Sequence, residues 1–149
     1  FTLRGSIDLV EEHVTSGTLR VTDHKTGKNR STPMLVIGGG TVLQPVLYSM
    51  VVERMSGKPV GEGRLSFCTT AGGFTEKVIP LTPDNRRLGV EALEIVDRAL
   101  ETGFLAAAPA EGACRWCDFR PVCGPNEEER IARKPGDPLR DLAALRSRP

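Results

Sequence analysis

The sequence lacks the features that mark several specialised classes of protein. No stretch approaches the roughly 18 apolar residues of a membrane span, and no signal peptide stands at the start, so we expect no membrane association. There is no internal repeat, and no Walker A motif, so an ATP-driven motor would have to lie elsewhere. The 149 residues suffice for one ordinary domain. The chain opens at Phe1 in the middle of a strand-like pattern, and we therefore expect an N-terminal portion to have been removed.

Cysteine is scarce and unevenly placed. The four residues are Cys68, Cys114, Cys117 and Cys123, and the last three crowd into one short segment. A small secreted disulfide scaffold would have a denser and more even distribution. The tight spacing without an export signal indicates a metal or iron–sulfur site in a reducing cytoplasm.

Positive charge is clustered, although the net charge is only +1. Four cations stand around Asp23, namely Arg20, Lys25, Lys28 and Arg30. A basic cluster of this kind can contact phosphate groups. A second basic stretch runs from Arg130 to the end, where a solvated surface is the simpler interpretation.

The spacing of apolar residues predicts four strands and two main helices. We expect strands over residues 2–11, 19–23, 64–70 and 74–81. The first helix is expected over residues 41–55, with Pro45 tolerated in its first turn. The second, of about 17 residues, follows Thr82 as N-cap, and a short helix begins near Pro138. This order predicts an α/β fold with a mixed sheet.

An acidic pair and a lysine carry the predicted chemistry. Asp8 and Asp23 lie on the two strands of the first predicted hairpin, whose pairing can bring their carboxylates together. Two neighbouring carboxylates need a cation between them, and hard oxygen ligands select Mg²⁺ or Mn²⁺. Lys25 lies two residues beyond Asp23 and points to the same face of the strand. Phosphodiester hydrolysis uses such a set: a metal-activated water and a nearby positive group.

These motifs resemble those of a nuclease family. Gly-x-Ile-Asp, followed by Asp-x-Lys-Thr-Gly, is similar to motifs II and III of the PD-(D/E)xK nucleases, in particular of the RecB-like branch that includes RecB, AddB and CRISPR-associated nucleases. The resemblance implies a restriction-endonuclease-like core with a central mixed sheet flanked by helices. It also implies that Asp8, Asp23 and the main-chain carbonyl of His24 bind the metal and that Lys25 assists the attacking water.

Gln44 and Tyr48 match the Gln-x-x-x-Tyr motif of the same branch. The spacing i, i+4 puts both side chains on one face of a helix. The resemblance implies that they face the active site and contact DNA or order the lysine. A polar helix face with a partly buried tyrosine is the simpler interpretation of the two residues taken alone.

The cysteine segment has the pattern C-x2-C-x5-C, and three thiolates so spaced can bind one soft metal centre. It resembles the C-terminal part of the iron–sulfur staple of AddB-type nucleases, which implies a four-iron, four-sulfur cluster held by Cys114, Cys117 and Cys123. A fourth ligand is expected upstream of Phe1, with Cys68 as the less favoured candidate because a mid-strand cysteine is more often buried. Zinc is the alternative occupant. Trp116 and Phe119 could stack bases, but we expect them to pack the staple against the core.

Taken together, the residues and the resemblance predict a DNA nuclease domain over residues 1–105 and a cysteine-rich segment with a basic tail over residues 106–149. The family implies an exonuclease of DNA repair working beside a helicase domain or subunit. It also implies a further catalytic Glu or His upstream of the chain. Two alternatives stay open: a non-catalytic DNA-binding module, and a structural metal-binding interaction domain.

Overall fold

A four-stranded mixed sheet forms the centre of the computed structural model, which describes residues 1–149. In spatial order its strands are β1 (Leu9–Glu12), β2 (Leu19–Lys25), β3 (Val60–Phe67) and β4 (Glu76–Pro80). The β1–β2 and β3–β4 pairs are antiparallel, whereas β2 and β3 are parallel. Parallel neighbours need a crossover connection, and the first helix provides it. The predicted α/β class with a mixed sheet is confirmed.

Two long helices stack beside the sheet. Helix α1 (Gln44–Ser56) packs on β2 and β3 and carries Pro45 in its first turn, as expected. Helix α2 (Pro83–Glu101) packs against α1, and its N-cap is Thr82, whose Oγ1 accepts a hydrogen bond from the Asn85 N–H at 3.2 Å. The buried apolar core lies where the sheet and helices meet; it contains Leu19, Val21, Ile37, Val46, Val52, Val60, Ile79, Leu81, Ala92 and Leu145.

The backbone of helix α1 lies close to the sheet at Gly63 of β3. A Cβ atom at this position would overlap the main-chain carbonyl of Pro45. Glycine within a strand often marks such a close approach of another backbone. The glycines at positions 61 and 63 weaken the strand pattern in the sequence, and for this reason the prediction began β3 too late, at residue 64.

The first predicted strand is wrong in its extent. The sequence pattern suggested residues 2–11, but β1 covers only Leu9–Glu12, and the segment before it is irregular. The register Leu9↔Thr22 brings residue 6 opposite Lys25, where β2 ends. Residues 1–5 therefore have no partner strand. Asp8 lies just outside the strand rather than within it.

The C-terminal segment returns to the core. It contains three short helices, α3 (Arg120–Cys123), α4 (Glu127–Ile131) and α5 (Arg140–Arg146). Leu145 of α5 is buried in the core, and the Ile37 N–H donates to the Pro149 carbonyl at 2.7 Å. The proposed division between residues 105 and 106 stays a prediction. No helix of the structure is both long and apolar enough to cross a membrane.

Candidate active site

The two predicted acids meet at the open end of the β1–β2 hairpin. Continuing the register Leu9↔Thr22 by one residue sets Asp8 opposite Asp23. The Asp8 Oδ2 accepts a hydrogen bond from the main-chain N–H of His24 at 2.7 Å. The ring Nδ1 of His24 lies 3.7 Å from the same oxygen. Asp8 is thus tied to the peptide that immediately follows Asp23.

Asp23 is buried, with 7% of its surface exposed. The Nζ of Lys25 lies 2.7 Å from Asp23 Oδ2, so the two side chains form an ion pair on one face of β2. This contact does not have hydrogen-bond geometry, and Oδ2 receives no hydrogen bond from any other group. A buried carboxylate oxygen without a donor is costly unless a cation compensates it. Asp23 Oδ2 therefore depends on a cation, here the Lys25 ammonium, for the balance of its charge.

Gln44 and Tyr48 approach the site from the first turns of α1, but they contact different parts of it. The Gln44 Oε1 accepts a hydrogen bond from Lys25 Nζ at 2.9 Å. Tyr48 packs instead on the backbone before Asp8, where a Cβ atom added at Gly5 would lie 2.8 Å from the tyrosine oxygen. Gln44 holds the lysine, and Tyr48 supports the segment that carries Asp8. The sequence pattern alone did not distinguish these two contacts.

The donor set fits a hard divalent cation only in part. Asp8, Asp23 and the His24 carbonyl offer oxygen, the ligand that Mg²⁺ and Mn²⁺ prefer, and Asp23 Oδ2 accepts no hydrogen bond and has only the Lys25 ammonium as a partner. No third His, Cys, Asp or Glu side chain joins the two carboxylates. Mg²⁺ takes about six ligands and commonly keeps several waters, with one or two carboxylates and substrate phosphate completing its shell. Two carboxylates are consistent with that pattern.

The basic cluster around Asp23 is smaller than the sequence suggested. Arg20 alternates with Asp23 along β2, so its side chain points to the opposite face. There its Nε forms an ion pair with Glu62 at 2.5 Å. Arg20 is therefore removed from the predicted cluster, whereas Lys25 shares a face with Asp23 and forms an ion pair with it.

The comparison with known families agrees with this geometry. The sequence model of the PD-(D/E)XK nuclease superfamily matches residues 1–124. The chain belongs to this superfamily. The four-stranded mixed sheet with its helices is consistent with the restriction-endonuclease-like fold of the superfamily. The matched range includes both acids, the lysine and the three clustered cysteines. No curated protein matches the chain.

Within this superfamily member, the three clustered cysteines face one surface pocket of about 830 Å³. Burial raises the pKa of the Cys114 thiol, and the Glu128 carboxylate beside it raises it further. Glu128 accepts main-chain hydrogen bonds from Cys114 at 2.9 Å and Gly112 at 3.1 Å. No group of three His, Cys, Asp or Glu side chains is arranged to hold one metal ion. The thiols thus share a pocket but do not form a ligand set as they stand.

Two expectations are wrong, one about Cys68 and one about the aromatic residues of the cysteine segment. Cys68 is exposed and follows the end of β3, with its Sγ 3.5 Å from the Lys25 carbonyl, so it is not a buried mid-strand residue. Trp116 and Phe119 do not pack on the core, because they are 85% and 72% exposed. The guanidinium of Arg115 lies 5.9 Å from the Trp116 ring centroid.

Proposed function

We propose that the chain is a nuclease domain that hydrolyses DNA phosphodiester bonds with Mg²⁺ or Mn²⁺ at Asp8, Asp23 and Lys25. Membership of the superfamily supports nuclease activity in general. The observation that carries the specific proposal is the buried Asp23 carboxylate, ion-paired with Lys25 and next to Asp8 through the His24 peptide. Asp23 Oδ2 accepts no hydrogen bond, and the Lys25 ammonium is its only charged partner, so this oxygen is available to a divalent cation.

The roles of the side chains follow from their contacts. In hydrolysis a water oxygen bonds to phosphorus while the bond from phosphorus to the leaving oxygen breaks, and a proton given up by the water is balanced by one taken up at the leaving oxygen. A bound divalent ion supplies a Lewis acid and lowers the pKa of the attacking water. Asp8, Asp23 and the His24 carbonyl would hold that ion. Lys25 keeps a positive charge beside the phosphate, where negative charge develops. Gln44 holds the lysine amine in place, and Tyr48 supports the Asp8 segment.

The finer assignment is to a RecB-like or AddB-like exonuclease of DNA repair, acting in the cytoplasm beside a helicase. It is supported by the order of the motifs, by the contact of Gln44 with Lys25 and by the contact of Tyr48 with the segment before Asp8. This finer assignment rests on likeness to the family. One fold can carry many functions, so the fold alone does not identify the reaction or the partner.

A cleavage assay tests the central proposal. The unsubstituted chain and Asp23→Ala are incubated with end-labelled DNA and Mn²⁺, and Asp137→Ala, a change at a fully exposed acid, serves as the matched control. Metal-assisted charge stabilisation contributes several kcal/mol, so we expect Asp23→Ala to lower the rate at least ~10²-fold. Asp137→Ala should cleave like the parent. Equal cleavage by all three would remove the assigned site.

The cysteine pocket favours a second candidate role, a structural metal-binding module. Three cysteines line one pocket, and thiolates are the ligands that soft metals and iron–sulfur centres take, although the three residues do not form a ligand set as they stand. Anaerobic purification distinguishes the occupants: a brown protein absorbing broadly near ~400 nm indicates iron–sulfur, and a colourless protein with bound zinc indicates a zinc site. If the protein binds neither iron–sulfur nor zinc, the metal-binding role of the cysteine segment is ruled out and the nuclease proposal is unaffected.

A further inference from the structure

We propose that Lys28, Arg30 and Lys77 form a phosphate-binding rim beside the active site and contact the backbone of the DNA strand that enters it. The inference rests on the proposed nuclease function and names the surface that would bind its substrate. We call these three residues the basic rim. Lys77 was not among the residues that the sequence singled out.

Two loops meet at the end of the sheet where β2 finishes at Lys25. The Thr69 hydroxyl donates to the Thr26 carbonyl at 2.8 Å, and the Asn29 side-chain amide donates to the Thr75 hydroxyl at 2.9 Å. The segment after Lys25 is thereby held against the β3–β4 connection. Lys28 and Arg30, both exposed, project from this held segment.

Lys77 extends the basic rim across the sheet. The registers Asp23↔Leu65 and Leu65↔Lys77 put Lys77 in the same row as Asp23 and on the same face, two strands away. Two strand spacings amount to about 10 Å. A B-form strand carries a phosphate about every 3.4 Å of axis, so this offset corresponds to about three nucleotides. The Lys77 Nζ donates to the Pro33 carbonyl at 2.7 Å, which directs the amine toward the loop just after the held segment and leaves further N–H donors free.

The charge of the basic rim is uncompensated. None of its three cations forms an ion pair, although many other cations on the surface do, such as Arg20 with Glu62 and Lys58 with Glu12. Glu76, next to Lys77 in the chain, is paired with Arg64 at 3.1 Å. The sequence contains no Asp or Glu between residues 24 and 52. Unpaired cations grouped beside a nuclease site are complementary to a polyanion.

Salt dependence of binding tests the basic rim. Fluorescence anisotropy with a labelled duplex is measured in EDTA, so that the DNA stays intact, between 50 and 200 mM KCl. Each phosphate contact contributes about 0.9 to the slope of log K against log salt. Over this fourfold change in salt, one contact corresponds to a loss of affinity of about 3.5-fold, and three contacts to about 40-fold.

The variants are Lys28→Gln, Arg30→Gln, Lys77→Gln and the triple substitution, with Arg20→Gln as the matched control. We expect each single variant to reduce the slope by about 0.9 and Arg20→Gln to leave it unchanged, because Arg20 is paired on the opposite face. The exposed side chains of Lys28 and Arg30 form no hydrogen bond or ion pair within the protein, so we expect their substitution to leave the stability unchanged. These two variants therefore remain informative if Lys77→Gln is unstable.

Three results would overturn the inference: no binding by the unsubstituted chain, an unchanged slope in the Lys28→Gln and Arg30→Gln variants, or an equal loss in Arg20→Gln. The same variants are also measured with a labelled acidic peptide. If the substitutions weaken binding to the peptide but not to DNA, the inference is overturned and the three residues bind a protein ligand instead. These outcomes are separate from failure of the nuclease proposal, which Asp23→Ala tests by cleavage. A chain that cleaves DNA but shows an unchanged slope would keep its function and lose the basic rim.

Discussion

Replacing Gln44 by leucine removes one of the two groups that hold Lys25, the lysine of the proposed active site. The Lys25 Nζ lies 2.7 Å from Asp23 Oδ2 and donates a hydrogen bond to Gln44 Oε1 at 2.9 Å. Leucine is close to glutamine in size and in helix propensity, and Gln44 is the first residue of α1. The substitution should therefore leave the fold intact, while the Lys25 amine loses its hydrogen bond to Gln44 and is held less firmly in place.

The expected size of this effect follows from the charge on the lysine. A hydrogen bond to a charged group contributes about 1.5–3 kcal/mol. If the bond keeps the amine where charge develops in the transition state, its loss lowers kcat about 10- to 150-fold, since 1.36 kcal/mol corresponds to a factor of ten. Gln44→Glu retains an oxygen acceptor at the same place, and we expect it to stay within a few-fold of the parent.

Single-turnover cleavage, with the protein in saturating excess over the DNA and with saturating Mn²⁺, measures the chemical step directly. The thermal midpoint of each variant, compared with that of the parent, separates lost chemistry from lost structure. If Gln44→Leu cleaves within twofold of the parent while Asp23→Ala is inactive, then Lys25 does not need this hydrogen bond. The role assigned to Gln44 would then be refuted.

The remaining predictions concern stability and the Asp8 segment. Bidentate hydrogen bonding from Arg86 lowers the pKa of the Glu53 carboxyl in the folded protein. The pair therefore stabilises the fold fully above the pKa that Glu53 has in the unfolded chain, and this stabilisation is lost as the pH falls through the folded pKa. Glu53→Gln should cost about 1 kcal/mol at pH 7 for this partly exposed pair, and urea titrations should show the difference shrinking below pH ~4. Gly63→Ala should cost about 1–3 kcal/mol or more, because a methyl group there meets α1; an unchanged urea midpoint would contradict the packing. Gly5→Ala should slow cleavage, and adding Tyr48→Phe should restore part of the rate, because it removes the atom nearest the new methyl group; a double variant as slow as the single one would count against this contact.

Much of the fold could be predicted because its signals are local. Alternation along residues 19–23 indicated both a strand and the shared face of Asp23 and Lys25, and these depend only on the geometry of one strand. Helical spacing, a proline in the first turn and the Thr82 cap located α1 and α2 within a few residues of their observed ends. Each of these signals lies within one element, so no knowledge of its neighbours was needed.

The misses depend on contacts between distant segments. The length of β1 is set by where its partner β2 ends, and the late start predicted for β3 reflects glycines that are explained only by the approach of α1. Lys77 joins the site region only through two successive registers that pass through Leu65. Arg20 was misplaced for the opposite reason: its closeness to Asp23 in sequence suggested a shared surface, although strand alternation sends the two side chains to opposite faces.

The position of α1 links the two halves of the candidate site. Gln44 contacts the lysine of β2, and Tyr48, one turn later, contacts the backbone that leads to Asp8. The depth at which this helix lies on the sheet is limited by Gly63, where the Pro45 carbonyl approaches β3. A side chain at Gly63 that lifted α1 would therefore move Gln44 away from Lys25 and Tyr48 away from Gly5 together. The spacing between the lysine and the first acid thus depends on a glycine that belongs to neither motif.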